Sequence, residues 1–175
     1  MNNKEFVAKI AELAKLGTRA AVVMTAGMDS AQKKAMLDAA RPHLLRILGP
    51  NCIGLLAPHR GLNASFAHVA AAPGELAFVS QSGALVTAML DWADAQQIGF
   101  SHFVSLGEHM DVDFGDMLDY LATDARTRAI LLYIESIEAP RKFILNLCQD
   151  VSTCSWIPSY PECRSSRMAN WRLLQ

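Results

Sequence analysis

Apolar residues recur at helical spacing near the start of the chain, at Phe6, Val7, Ile10, Leu13 and Ala14. This predicts an amphipathic helix over residues 4–16, which Gly17 closes. "RAAVVMT" (19–25) is a short apolar strand. After it, Asp29 or Ser30 can cap a helix through "AQKKAMLDAA", which Pro42 stops. "LLRIL" (44–48) is a second strand, followed by the tight "GPN" turn. Helix–strand–helix–strand is half of a parallel α/β layer, assigned to residues 1–49. Residues 50–75 are broken by Pro, Gly and Asn and read as an irregular crossover between two units.

The α/β alternation then restarts. "LAFVS" (76–80) is a strand and 83–97 a helix with Leu85, Ala88, Met89, Trp92 and Ala93 on one face. "FSHFVSL" (100–106) is a strand, 113–124 a helix with Asp113 as candidate cap, and "AILLYI" (129–134) a continuous apolar strand. Such a run fits a strand covered on both faces. Right-handed crossovers then give a flavodoxin-like or Rossmann-like parallel sheet over residues 76–143. Beyond 143 no βα unit can be read, and residues 144–175 carry three of the four cysteines and two of the three tryptophans. The abrupt change suggests a frameshifted or truncated reading frame in which the sheet loses its next strand. Residues 147–175 are accordingly expected to pack poorly.

Composition narrows the picture without redrawing it. The 175 residues are 51% hydrophobic, enough for one substantial core or two small ones. A formal net charge of −1, with both signs interspersed, argues against nucleic acid or an anionic membrane as partner. No apolar run spans a bilayer and the N-terminus lacks a signal-peptide pattern, so the cytoplasm is the default location. Cys52, Cys148, Cys154 and Cys163 form no C-x-x-C pair, and the five histidines form no H-x-x-x-H pair, so no metal is expected.

Candidate chemistry lies at strand C-termini, where open α/β sheets bind ligands. The turns there are "MTAGM" (24–28), "GPNC" (49–52), "SQSG" (80–83) and "LGEHMDVD" (106–113), with Glu135 at a fifth strand end. "SQSG" admits two readings. Free N–H groups at 82–85 with the helix dipole and the Ser80 and Ser82 hydroxyls make an anion site, or one serine simply caps the helix. The turn resembles a nucleophile elbow only loosely, because the first glycine is missing. For Glu135 a ligand-orienting carboxylate and a solvated acid both fit, and the residues alone favour the second. His109, between acids in a polar loop, reads as solvated. Asp113 and Asp116 are better explained by a helix terminus than by a metal.

Taken together, "ILGPNCIGLLAP", "GLNASFAHVAAAPGELAFVSQSGAL", "DWADAQQIGFSHFVSLG" and "DVDFGDMLDYLATDARTRAILLYIESI" resemble the NDP-forming acyl-CoA synthetase superfamily. Within it they look most like the synthetase-like region of bacterial protein lysine acetyltransferases fused to a GNAT domain. They are more distantly similar to the α subunit of succinyl-CoA synthetase. The resemblance covers roughly residues 10–143. It implies an α/β fold: the C-terminal part of a CoA-binding Rossmann domain, then an incomplete flavodoxin-like, succinyl-CoA synthetase-like parallel sheet.

The resemblance also implies site roles. The turn matching "MTAG" touches CoA, which points to Thr25 and Ala26. Succinyl-CoA synthetases carry an acid at the Ala26 position, so CoA binding is expected to be weak or lost. Ser80, Ser82, Gly83 and Ala84 match the helix start that faces a phosphoryl group on a catalytic histidine, and Glu135 matches that histidine's partner. Asn51 and Thr87 are substrate candidates, and Thr87, where succinyl-CoA synthetases have a tyrosine, does not support succinate. None of the five histidines matches the phosphohistidine. The implied partners are CoA or acyl-CoA, phosphate, and an ATP-grasp β-type subunit or domain. ATP or ADP enters only through regions missing here. The parent activities are acid–thiol ligase or acetyltransferase, and this chain alone is expected not to turn over. The alternative is a non-catalytic CoA- or phosphate-binding module that docks to a separate synthetase subunit.

Overall fold

The computed structural model describes residues 3–150 and 172–174. The first unit comprises α1 (Asn3–Lys15), β1 (Ala20–Val22), α2 (Ser30–Ala40) and β2 (Arg46–Leu48), with β1 and β2 paired in parallel. Asp29 is the cap of α2. Its carboxylate accepts the Gln32 N–H at 2.8 Å while the Gln32 side chain accepts the Asp29 N–H at 3.1 Å. Ile10 and Ala14 of α1 meet Met36, Leu37 and Ala40 of α2 over Val23, Leu45 and Ile47.

The second unit holds β3 (Gly54–Ala57), β4 (Leu62–Ser65), β5 (Pro73–Ser80), α3 (Gly83–Ala95), β6 (Phe100–Ser105), α4 (Phe114–Thr123), β7 (Ala129–Tyr133), α5 (Pro140–Asp150) and β8 (Arg172–Leu174). Its six strands run in the order β4-β3-β6-β5-β7-β8. β6, β5, β7 and β8 are parallel, whereas β3 and β4 are antiparallel additions at one edge. Phe78, Phe100 and Phe103 pack under Val86, Leu90 and Ala93 of α3. On the opposite face Ala77, Val79, Ile130 and Leu132 pack under α4 and α5, through Phe114, Leu118, Leu121, Phe143 and Leu147. Both faces of β5 and β7 are covered, which is why those strands read as unbroken apolar runs.

Two expectations from the sequence change here. The stretch 50–75 is not irregular throughout: β3 and β4 form a hairpin, and β3 joins β6 with Leu55 opposite Val104. The chain after residue 143 does not simply lose the pattern either. α5 continues to Asp150, and β8 lies parallel to β7 with Leu132 opposite Leu173, filling the place next to β7. Most of the divergent tail, residues 151–171, lies outside the described residues. No helix of the described residues is long and apolar enough to cross a membrane.

Candidate functional site

The C-terminal ends of β2, β5, β6 and β7 are joined largely through backbone. Asn51 N–H donates to Thr25 O (3.0 Å), Glu108 N–H to Pro50 O (2.9 Å), Met110 N–H to Gly49 O (3.3 Å) and Leu106 N–H to Ser80 O (2.8 Å). Gly107 makes the approach possible. It sits at φ +58°, and a Cβ there would fall 2.3 Å from Pro50 O and 2.4 Å from Asn51 O. Asp111 adds a side-chain tie, accepting from Ile47 N–H at 2.7 Å and from Arg46 Nε at 3.1 Å. Lys33 of α2 forms an ion pair with Glu108 of the same loop.

At the opening of α3, Ser80 is fully buried. Its Oγ accepts the Ser82 N–H and donates to Ser82 O, both at 3.1 Å. Ser82 is the helix cap and its Oγ accepts from Leu85 N–H at 3.4 Å. Of the four amides expected to be free at 82–85, two are therefore engaged. The N–H groups of Gly83 and Ala84 have no acceptor among the described residues, as the first turn of a helix requires. The dipole of the thirteen-residue α3 adds partial positive charge at the same place. The Thr87 hydroxyl is turned onto its own helix and donates to Ala84 O at 2.9 Å. Thr25, Ala26 and Asn51 are exposed.

Glu135 is exposed beyond the end of β7. Its backbone is held by Gln81, whose Oε1 accepts from Glu135 N–H at 2.6 Å and from Ser136 N–H at 2.9 Å. Gln81 Nε2 also donates to Ser136 Oγ at 3.1 Å. His109 is not solvated, contrary to its reading from the polar loop. It is 5% exposed, with the ring 6.1 Å from that of Phe114, because the turn folds inward at φ +37°. Its Nε2 lies 3.4 Å from Ser136 Oγ, and its buried Nδ1 has no hydrogen-bond partner among the described residues.

Asn51, Gln81, His109, Glu135 and Ser136 thus line one open cleft of about 850 Å³, together with Lys33 and Lys34 of α2 and Arg41 just after it. Thr25, Ala26, Ser80, Ser82, Gly83, Ala84 and Thr87 are not among its lining residues. Of the candidates chosen from sequence, Asn51 and Glu135 meet there. Gln81 and His109 were not chosen. The only signal for Gln81 was a third polar side chain in a turn that needs one cap.

Asp113 and Asp116 form a reciprocal cap at the start of α4, with Asp116 N–H donating to Asp113 at 2.9 Å. Burial opposes ionisation of Asp116. The hydrogen bond from Lys142, the Asp113 backbone N–H and the charges of Lys142 and Arg46 outweigh it and hold the carboxyl below its usual range. Burial pushes the Cys52 thiol up to about 11, so it is an inert core group. Among the described residues no three His, Cys, Asp or Glu side chains are grouped to hold a metal ion.

The family "Succinyl-CoA ligase like flavodoxin domain" matches residues 73–153. The chain is 39% identical over 148 residues to the acetate–CoA ligase (ADP-forming) II subunit alpha of Pyrococcus furiosus, a match covering 81% of this chain and 32% of that protein. It is 37% identical over 141 residues to the acetate–CoA ligase (ADP-forming) I of Archaeoglobus fulgidus, covering 77% of this chain and 21% of that one. The comparisons support the NDP-forming acyl-CoA synthetase superfamily. Among solved structures, a Pyrococcus horikoshii protein superposes with a TM-score of 0.82 at 33% identity, over 87% of this chain and 36% of that one. The dinucleotide-forming acetyl-coenzyme A synthetase 1 of Ca. Korarchaeum cryptofilum, solved with phosphate and ADP, gives 0.81 at 32%, over 86% and 34%. The chain therefore spans about a third or less of these superfamily relatives.

Proposed function

We propose that this chain is the acyl- and phosphoryl-handling region of an ADP-forming acyl-CoA synthetase. The observation that carries the reading is the pair of unengaged amides, Gly83 and Ala84, at the start of α3, two residues from Gln81 in the cleft that holds Glu135. In this reading those amides and the α3 dipole stabilise a phosphoryl group. Ser80 and Ser82 shape the turn that presents them. The Glu135 carboxylate, which accepts no hydrogen bond from the described residues, is free to orient the imidazole of a phosphohistidine supplied by another segment or chain.

CoA lies at the exposed Thr25–Ala26 turn, weakly, because Ala26 offers no carboxylate. Asn51 is held beside that turn by its hydrogen bond to Thr25 O, so acyl group and thiol can meet there. Acetate is the acid named for the Pyrococcus furiosus and Archaeoglobus fulgidus relatives, and it is the acyl group proposed here. Nucleotide chemistry belongs to an ATP-grasp partner; the Pyrococcus furiosus relative is itself named as one subunit, alpha, of its ligase. Ligase names recur among these relatives, which favours this reading over a region regulating an acetyltransferase.

The test is an inorganic phosphate titration of the ¹⁵N-labelled full chain. Gly83 and Ala84 amides should shift with roughly millimolar affinity, about −4 kcal/mol, and Gly83→Glu should abolish the shift. Still amides at both residues in a folded sample, or equal binding by the Glu variant, would sink the phosphoryl site.

A further inference from the structure

The Glu135 carboxylate has no hydrogen-bond partner among the described residues, so its place is set by its backbone alone. That backbone lies past the last β5–β7 pair, Ser80 with Tyr133, where the ladder no longer holds it. One side chain takes over. Gln81 keeps its own N–H on Tyr133 O at 3.2 Å and sends its amide forward, where a single oxygen accepts two successive N–H groups, Glu135 at 2.6 Å and Ser136 at 2.9 Å. Its nitrogen donates to Ser136 Oγ, which also lies 3.4 Å from Nε2 of buried His109. Ser136 Oγ is thus the point where side chains from the ends of β5, β6 and β7 converge.

We infer that Gln81 is a positioning residue: it clamps the turn after β7 and fixes where the Glu135 carboxylate projects into the cleft. The chemistry demands this residue type. Two amide donors need an oxygen, the Ser136 hydroxyl takes a donor, and the reach exceeds that of asparagine. Glutamate supplies the oxygen without the donor, and leucine supplies neither. The role assigned to Glu135 rests on the function proposed above, but the clamp itself does not.

The experiment is amide hydrogen exchange and ¹⁵N spectra on the full chain with Gln81→Leu and Gln81→Glu, beside an inorganic phosphate titration. In Gln81→Leu the Glu135 and Ser136 amides should exchange about tenfold faster or more, and Glu135 N–H should move upfield. Leu131 and Leu132 in the neighbouring ladder should keep their protection. Gln81→Glu should restore protection at Glu135 and Ser136, because the accepting oxygen returns. Unchanged exchange at both amides in Gln81→Leu overturns the clamp. Equal loss along β5 and β7, or no recovery in Gln81→Glu, overturns it too, since Gln81 would then serve the sheet rather than the turn. A wild-type chain whose Gly83 and Ala84 amides ignore phosphate removes the proposed function while leaving the exchange result to decide the clamp.

Discussion

In the six-stranded sheet β5 sends Phe78 to one face and Ala77 and Val79 to the other, and each face has helices of its own. In the two-stranded unit β2 sends Ile47 under α1 and α2, but Leu48 joins the cluster of the large sheet beside Val104, Leu106 and Phe114. Val22 and Met24 pack on that same cluster. The large unit covers itself, whereas the small one owns half a core and borrows the rest. The loop 106–113 is what lets it borrow, through Asp111 and the backbone bonds to Gly49 and Pro50. Stability should therefore flow one way. Damage to the large sheet unfolds both units, and damage to the loop loosens only the small one.

The largest effect belongs to Phe103→Ala. Phe103 is fully buried, 4.9 Å from the Phe78 ring and 4.8 Å from that of Phe100. Truncation should cost about 3–5 kcal/mol, with urea unfolding of both units in one transition. Surviving exchange protection at Val22 and Ile47 in that variant would break the asymmetry.

Asp111→Ala should cost less, about 1–3 kcal/mol, chiefly from the orphaned Ile47 N–H. The half-exposed Arg46 pair adds little. Here β1 and β2 amides should exchange faster while Phe78 and Leu131 do not. A uniform change across both sheets would show that the loop is part of the common core.

The smallest effect is a pH dependence confined to the large sheet. His102 of β6 is buried beside Tyr120 Oη (3.2 Å), with Asp124 at 3.7 Å. Burial lowers its pKa, Asp124 opposes this, and the charges of Arg60, His59 and Arg126 reinforce it. The unfolded chain, near the ordinary value of 6.5, binds the proton first. The stability contribution is thus complete above about pH 6.5 and is lost as pH falls toward the lowered folded value. His102→Gln should flatten the urea midpoint between pH 7.5 and 5.5. A slope that persists in His102→Gln would place the titrating group elsewhere.

What the sequence disclosed follows from how local each signal is. Asp29 and Asp113 were legible as caps because a cap bonds within three residues. β5 and β7 were legible because burial on both faces leaves an apolar run. The β3–β4 hairpin was not, since "GLLA" and "LNAS" carry no alternation and β3 takes its second partner from β6, about fifty residues on. α5 was hidden for a similar reason. It is fastened to α4 by Lys142 on Asp113 and Asp116 and by Asn146 on Gly115 O, none of them near in sequence. At the site, Glu135 stood out by its place at a strand end, but the residues alone favoured a solvated acid and only the family resemblance gave it a role. The clamp on it was not legible, because Gln81 looked like one polar residue too many in a capping turn. His109 misled through its flanking acids: composition described the loop's neighbours, while the inward backbone decided the ring's burial.

The backbone knot around Gly49–Asn51 also sets an order of assembly on a chain made from its N-terminus. Residues 1–48 emerge with their helices and a half-core, but the donors for Ile47, Gly49 and Pro50 carbonyls are Val112, Met110 and Glu108. Those residues leave the ribosome some sixty positions later, after β5 and β6. Of these two units the earlier-made is thus the later finished, and it must wait, helical and incompletely covered, for a loop that only the second sheet can deliver.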